Sequence, residues 1–437
     1  METYEQYKDS GVEWVGNMPS TWKIAYISNV TYENKIKNED LLEKNLLSLS
    51  YGRIIRKDID LAFGLLPSSF DGYQIVEPGC IVLRMTDLQN DKRSLRSAIA
   101  RERGIITSAY IGLNTRESMD ANYLAWLIHF YDLRKVFYSL GGGVRQSVNY
   151  KEIGKIPVLV PSDEEQRQIA AFLDSKTGEV DGVVGKLRRQ VELLERYRRE
   201  LIAHTVTRGL DPHAPMRDTG GMMPHLEDKE VWFGELPEGW SAIRIKRLAD
   251  INNGLTYSPE NLSDHGTPVL RSNNIRNGKL DKTDLIYVDL DIPDKAKAAR
   301  GDVLICSANG SKKLIGKSAV IDEDGMAFGA FIMIARPYCN SRYFYYLLNS
   351  DLFNYYLPTY LTTTINQLTV SNFGNMIVPF SDDATTQQLI ADYLDAKTAE
   401  IDSAIAGIKR QIELLGDYRK QVINDAVTGK IRVGEAA

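Results

Sequence analysis

Residues 169–207, IAAFLDSKTGEVDGVVGKLRRQVELLERYRRELIAHTVT, recur without a gap at 390–428 as IADYLDAKTAEIDSAIAGIKRQIELLGDYRKQVINDAVT, and 18 of the 39 positions are identical. Unrelated stretches do not agree this closely, so the chain is a tandem duplication at an offset of 221. Two like halves must fold into two like bodies, and a protein built this way meets a partner with two similar halves.

The opening of each half repeats too. KDSGVEWVGNMPSTW (8–22) returns as KEVWFGELPEGW (229–240), which superposes Trp14 on Trp232, Gly16 on Gly234, Pro19 on Pro237 and Trp22 on Trp240. Two tryptophans and a proline in an irregular segment pin that segment to the body it enters. About 140 residues follow in each half, with alternating apolar stretches such as NLLSLSYGRII, CIVLRM, TPVLRSNNI and GDVLICSA that read as short strands. An aromatic helix comes next, from Asp120 to Leu140 and from Ser341 to Leu357. A loop, GGGVRQSVNY or TTTINQLTV, then leads to a last strand, KIPVLVP or NMIVPF.

The repeats themselves are helical. Ile169, Leu173, Lys176, Val180, Val183, Leu187, Gln190, Leu194, Tyr197, Leu201 and His204 alternate spacings of four and three, the seven-residue period of a coiled coil. Ile390, Leu394, Lys397, Ile401, Ala404, Ile408, Gln411, Leu415, Tyr418, Val422 and Asp425 repeat the pattern. Ser162 and Glu165 form a capping box ahead of the first helix, and the second lacks one. Helices about 60 Å long overhang a body of this size, so pairing with each other is what buries both stripes. Gln190 and Gln411 sit at matching seam positions, where they either fix register or are left half exposed by seam drift.

The segment RGLDPHAPMRDTGGMMPHLEDKE (208–230) is a Gly-, Pro- and Met-rich connector. A parallel helix pair would need it to run back along a whole helix, at nearly its full reach of about 3.3–3.6 Å per residue, whereas an antiparallel pair needs only a short hop. The expected fold is therefore mixed α/β: two bodies in tandem, each followed by a long helix, with the helices forming an antiparallel coiled coil of pseudo-twofold symmetry. The expected boundaries are 1–160 and 230–381 for the bodies, 161–208 and 382–431 for the helical spacers, and 209–229 for the linker.

Composition removes several alternatives. The 437 residues, 43% hydrophobic, can bury two to four cores. No run approaches the ~20 apolar residues of a membrane span, and METYEQYKDSGVEW lacks a signal pattern, so the expected location is cytoplasmic. Cys80, Cys306 and Cys339 are scattered, and the five histidines show no ligand spacing, which argues against a metal site. GSKKLIGKS (310–318) departs from a phosphate-binding loop, because five residues rather than four separate Gly310 from Gly316; a hairpin with a basic tip fits it better. No N-P-P-Y-like tetrapeptide and no G-x-G-x-x-G is present, so catalysis by this chain alone is not expected. The formal charge of −5 is unlike the basic footprint of a free-standing nucleic-acid binder.

The KDSGVEWVG-x-MP-x-x-W opening, the Gln-containing loop, the proline-flanked strand, the EEQRQIAAFLDSKT helix start and their return after TRGLDPHAPM resemble the DNA-specificity subunit of type I restriction-modification systems. The second helix departs from that pattern, opening SDDATTQQLIADYLD without the Glu-Gln pair of Glu165 and Gln166. The resemblance implies two target-recognition domains, each reading half of a split, asymmetric site in double-stranded DNA. It implies helices that act as spacer and as docking surface for two modification subunits, with two restriction subunits alongside. No cofactor is expected on this chain; S-adenosylmethionine, ATP and Mg would sit on the partners. DNA clamped between subunits need not be drawn by this chain alone, which answers the charge objection.

Candidate contacts are polar and basic residues on strand-connecting loops: Ser50, Tyr51 and Arg53, then Arg84, Thr86, Gln89, Lys92 and Arg93 in the first body, with six basic against three acidic side chains over 84–103. In the second they are Arg271, Asn273, Asn274, Arg276 and Asn277, then Ser307, Asn309, Lys312 and Lys313. Arg145 and Gln146, aligned with Asn366 and Gln367, complete the set, with loop stabilisation as the plainer role. Arg can bridge guanine O6 and N7, and Asn or Gln can bridge adenine N6 and N7, while Lys312 and Lys313 suit phosphates. VLRMTDLQN looks like PVLRSNNIRN, but the constant offset pairs it with GDVLICSAN instead. A rival class, an assembly scaffold that binds proteins at the ends of a rod, predicts no salt-dependent DNA affinity.

Overall fold

The computed structural model describes residues 2–39, 43–57, 70–91, 94–140, 147–219, 231–361 and 366–434. It divides into two compact units, Met1–Arg188 with Arg410–Ala437, and Arg189–Lys409. Each unit holds one body, the near part of the helix that leaves that body, and the far part of the other helix.

In the first unit a four-stranded sheet runs in the order Thr31–Glu33, Ile111–Thr115, Ile81–Leu83, Ser97–Ile99, with every neighbour antiparallel. Ile81, Val82 and Leu83 are all buried, so this strand is covered on both faces. Lys23–Tyr26 pairs with Pro157–Val160, tying the start of the body to its last strand. NLLSLSYGRII is a hairpin, Leu47–Ser50 against Arg53–Arg56, turned at Tyr51 and Gly52, which both take left-handed backbone (φ 46° and 77°) as a tight two-residue turn requires.

The second unit repeats this plan. Its sheet runs Ala249–Asn253, Ile332–Pro337, Val303–Cys306, Ser318–Val320, again antiparallel, and Ser241–Arg244 pairs with Ile377–Phe380. Ile81–Leu83 and Val303–Cys306 hold the same place in their sheets, so topology supports the collinear pairing of VLRMTDLQN with GDVLICSAN. The second body adds a five-stranded sheet centred on Thr267–Leu270. GSKKLIGKS lies in the connection between two antiparallel strands, with a 3-10 turn at Lys312–Leu314.

Each aromatic segment is broken where one continuous helix was expected. The first runs Ala121–Leu133, capped by the Asp120 carboxylate on the Tyr123 N–H (2.8 Å), and stops where Lys135 adopts φ 61°; a 3-10 turn follows at Val136–Ser139. The second splits into Ser341–Leu348 and Leu352–Tyr360, with Asn340 capping the first piece.

The long helices span Asp163–Arg208 and Ala384–Val427. Within the first unit Ile169, Ala170 and Leu173 share a core with Val422, Ile423, Ala426, Val427 and the body; in the second, Ile202 and Val206 share one with Ile390, Ala391 and Leu394. In each unit the start of one helix therefore lies beside the end of the other, which is antiparallel pairing. The Ser162–Glu165 box forms as expected, Ser162 N–H to Glu165 Oε2 at 3.1 Å and Glu165 N–H to Ser162 Oγ at 3.4 Å. The second helix is capped differently, by Asp383 accepting from the Thr385 and Thr386 amides.

The expected seam is half right. Ile169, Leu173, Val180, Ile390, Leu394, Ile401, Ile408 and Val422 are buried, and Leu187, Leu194, Leu201 and Leu415 half-buried. The alternate positions lie one residue later than expected: Val183 and Tyr197 are 46% and 52% exposed, and Gln190, Ala404, Gln411 and Tyr418 also face solvent. Thr177, Val191, Thr398 and Ile405 are buried instead, with Val184, Arg198, Ile412 and Arg419 half-buried. Spacing of four then three and spacing of three then four both fit a seven-residue repeat, and adjacent pairs such as Val183–Val184 leave the sequence undecided. Gln190 and Gln411 therefore cannot fix register. No helix among the described residues is long and apolar enough to cross a membrane.

The opening tryptophans do more than pin their own segments. The position a Cβ would take on Gly429, just past the second long helix at φ +70°, lies 2.4 Å from the Pro19 ring and 3.1 Å from Trp22. Gly209, just past the first at φ +73°, stands 3.5 Å from Trp240 by the same measure. Each opening motif thus receives the C-terminal end of a long helix; at Gly429 a side chain would collide with the Pro19 ring, whereas at Gly209 the left-handed backbone alone favours glycine.

Candidate nucleic-acid interface

In the second body, candidates from distant stretches come together. The Leu368 N–H donates to the Ser307 carbonyl (2.7 Å), Ala308 bridges Gln367, and the Asn309 amide reaches Ser272 Oγ at 3.4 Å. Lys317 donates to the Ser272 carbonyl (2.9 Å), which joins the 272 and 307–317 loops. Lys312, Lys313 and Gln367 are exposed and Asn309 and Asn366 half-buried, whereas Ser307 lies beneath the surface. Phe331, whose carbonyl accepts from the Ser307 and Ala308 amides, is 70% exposed at the edge of this group. Sequence reasoning missed it, and GAFIM held no signal, because Ile332 and Met333, out of phase and in phase with Phe331, are both buried.

The neighbouring basic residues are already engaged. Arg271 and Asn273 both bind Asp284, at 3.1 and 2.9 Å, and Arg276 pairs with Asp281 at 2.9 Å. Each would have to exchange its carboxylate for a base. Asn274 is fully buried, donating to the Asp281 and Asp284 carbonyls and accepting the Arg271 N–H, so it drops out as a base reader. Asn277 is exposed in a tight turn with Gly278 (φ 51° and 74°).

In the first body, Val148 N–H donates to the Met85 carbonyl (2.9 Å), the counterpart of the Leu368–Ser307 bond. Gln89 is exposed, Arg84, Thr86 and Ser50 are half-buried, and Tyr51 stands 79% exposed at its hairpin tip. Lys92, Arg93, Arg145 and Gln146 lie outside the described residues. Arg53 points instead to the long helix, at 2.9 Å from Asp181.

Much of the basic excess over 84–103 is already engaged within the protein. The Arg96 side chain is fully buried and donates to the carbonyls of Arg84, Thr86, Asp87 and Asp91, and through Nε to the Tyr138 hydroxyl. Arg101 binds Asn122 and Asp174, and Arg103 binds Glu43 and Glu77. A buried arginine that fills its donors with loop carbonyls shapes the 84–91 loop rather than contacting a ligand.

A cleft of about 420 Å³ lies between the first body and its helices, lined by Gly52, Arg53, Trp126, His129, Asp181 and Arg419 among others. The second unit has a counterpart of about 610 Å³, lined by Arg276, Gly278, Tyr345, Asn349, Asp402 and Arg198 among others. Trp126 Nε1 donates to Asp174 and the Tyr346 hydroxyl to Asp395; Gln166 accepts the Asp120 N–H and Gln387 the Asn340 N–H, so body and helix are joined by equivalent bonds in both units.

His129 is buried in the first cleft and its Nε2 finds no partner among the described residues. Burial, then the nearby Arg419 charge, against the pull of Asp181, holds its pKa down at about 4. The unfolded chain, with an ordinary histidine, binds a proton that the folded unit refuses, so this stability is complete above about pH 6.5 and is lost as pH falls toward 4, by roughly 3 kcal/mol. Denaturant unfolding of His129→Phe at pH 7 and pH 4.5 should show little change at the first and a shallower acid loss than the parent at the second. An unchanged acid loss would remove His129 as its source.

This geometry defines a class: two duplicated α/β bodies on paired helices, with polar loops gathered on the body and no catalytic motif in the sequence. Residues 237–414 match the family model for the type I restriction modification DNA specificity domain. The chain is 30% identical over 207 residues to the type I restriction enzyme StySPI specificity subunit of Salmonella potsdam, and 31% identical over 207 residues to the EcoKI specificity subunit of Escherichia coli K12. Each alignment covers 45% of this chain and 44% of the relative, so the chain spans under half the length of these relatives. A solved chain from work on complex assembly and conformational transition of the type I restriction-modification system has the same fold, with a TM-score of 0.69 at 16% identity over 95% of this chain and 99% of that one. Residues 237–414 thus match the type I restriction-modification DNA-specificity domain, and the chain is similar to the specificity subunits of such systems.

Proposed function

We propose that the chain reads a bipartite, asymmetric DNA site, one half with each body (1–160 and 230–381). The helical segments 161–208 and 382–431, joined through 209–229, would set the spacing between half-sites and dock two modification subunits. The chain performs no chemistry itself. S-adenosylmethionine belongs with the modification subunits, ATP and Mg with two restriction subunits, and the assembly works in the cytoplasm on double-stranded DNA.

The observation that carries this reading is the convergence of Asn309, Lys312, Lys313, Asn366 and Gln367 with exposed Phe331 on one body. Amide side chains suit adenine edges, the lysines suit phosphates, and an exposed ring suits a thymine methyl or a base step. Arg84, Gln89 and Tyr51 are the corresponding candidates in the first body. Arg271, Asn273 and Arg276 join them if DNA displaces their aspartates.

Co-expression with the modification subunit in a methylation-free host, followed by single-molecule mapping of N6-methyladenine, should reveal one split, asymmetric motif that is absent without this chain. A stable complex that adds no methylation would favour the scaffold role instead.

A further inference from the structure

Besides the buried threonines Thr177 and Thr398, two charged residues take seam positions, Arg198 and Arg419, at equivalent places in the two repeats, and each meets an aspartate that is also at an equivalent place. Arg419 Nε lies 3.2 Å from Asp181 Oδ1 in the first unit, and Arg198 Nε 3.1 Å from Asp402 Oδ1 in the second. Both Nε–H groups are buried and off the line of a hydrogen bond, so charge rather than an aligned N–H···O contact holds each pair. In each unit one partner comes from each long helix, so the pair forms at only one relative setting of the two. A charged group in a mostly apolar seam is one means of fixing such a register.

The same pairs also meet the bodies beside their tight-turn hairpins, directly in the first unit and through Tyr345 in the second. In the first unit Asp181 uses its second oxygen to accept from Arg53 of the Tyr51–Gly52 hairpin (2.9 Å), while the Arg419 guanidinium lies over the Trp126 ring at 5.8 Å. In the second, Arg198 lies against the Tyr345 hydroxyl, and Gly278 of the Asn277–Gly278 hairpin approaches so closely that a Cβ there would stand 2.1 Å from that oxygen. The hairpins differ in sequence, and the first reaches the seam pair through Arg53 while the second does so by way of Tyr345.

We infer that Arg419–Asp181 and Arg198–Asp402 are positioning pairs: each locks helix register and the seat of its body together, and so narrows the half-site spacing the protein accepts. The inference rests on the bipartite reading proposed above. Loosening a pair should leave the bases read in each half-site unchanged and relax the spacing between them.

The test uses the complex with modification subunits and DNA substrates whose half-sites are separated by the native spacer or by one base pair more or fewer. Asp402→Asn keeps the size of the side chain and should raise methylation at the off-length spacers about tenfold relative to the native one. The exchanged pair Arg198→Asp with Asp402→Arg should restore discrimination. Asp181→Asn makes the same test in the other unit should the first variant fail to fold. Methylation that falls equally at all three spacers, or discrimination that does not change in a folded variant, overturns the positioning role. A parent complex that reads no split motif overturns the underlying reading, and the inference with it.

Discussion

Replacing Arg96 with methionine should destabilise the first unit by about 3–5 kcal/mol and abolish reading of one half-site while sparing the other. Methionine keeps the apolar stem but leaves the carbonyls of Arg84, Thr86, Asp87 and Asp91 without the guanidinium donors they now accept from. A buried acceptor stripped of its partner costs about 1–3 kcal/mol, and a buried charge network broken on one side about 3–5 kcal/mol. Asp132, whose carboxyl is pushed up by burial and which accepts the backbone N–H of Arg96, remains in place, so the loss is confined to the loop. Lysine should not rescue the variant, because a point charge cannot reach carbonyls spread around a planar fork. Thermal unfolding should show a drop on the order of 10 °C for a unit of this size. Methylation mapping should then show a motif degenerate in one half only. Loss confined to stability, with both half-sites still read, would mean that the 84–91 loop is not a recognition element.

Why Arg96 escaped a sequence reading is instructive. Six basic residues over 84–103 look like a patch, and nothing in their spacing separates the one that is wholly buried from those at the surface. That difference depends on Tyr138 and Asp132, more than 30 residues away in the chain. The aspartates that occupy Arg271 and Arg276 lie only 13 and 5 residues on, yet pairing requires the turn at Asn277–Gly278 to fold them back. The duplication, the capping box and antiparallel pairing were legible because they rest on local signals or on linker length. The seam was legible to one of its two positions in each heptad. Leucines and isoleucines marked the position that both spacings share; the other falls to whichever neighbour the partner helix covers, and at Arg198 and Arg419 a charge takes it. The break in the first aromatic segment was invisible for a similar reason, since Lys135 adopts a left-handed backbone that its identity does not advertise.

Trp22→Ala should cost the first unit about 3–5 kcal/mol, the range for truncating a buried large aromatic side chain. Trp22 is wholly buried, donates its indole N–H to Glu165 Oε1 at 3.2 Å, and meets Tyr4 edge-on at 5.8 Å. Glu165 also closes the capping box with Ser162, so one side chain links the opening motif to the start of the first long helix. The face of Trp22 toward Gly429 supports the end of the second, and the Tyr7 hydroxyl donates to the Gly429 carbonyl at 3.1 Å. Removing the indole therefore opens a cavity where two helix ends and the opening motif meet. Limited proteolysis should newly cut beyond Val427, and calorimetry should record the lost stability. Trp240→Ala should cost the second unit less, since Trp240 retains some exposure (7%) and stands farther from its glycine, 3.5 Å from the Cβ position on Gly209. If the two variants lose equal stability, or Trp240→Ala loses more, burial and closeness to the glycine do not set the difference between the two ends of the repeat.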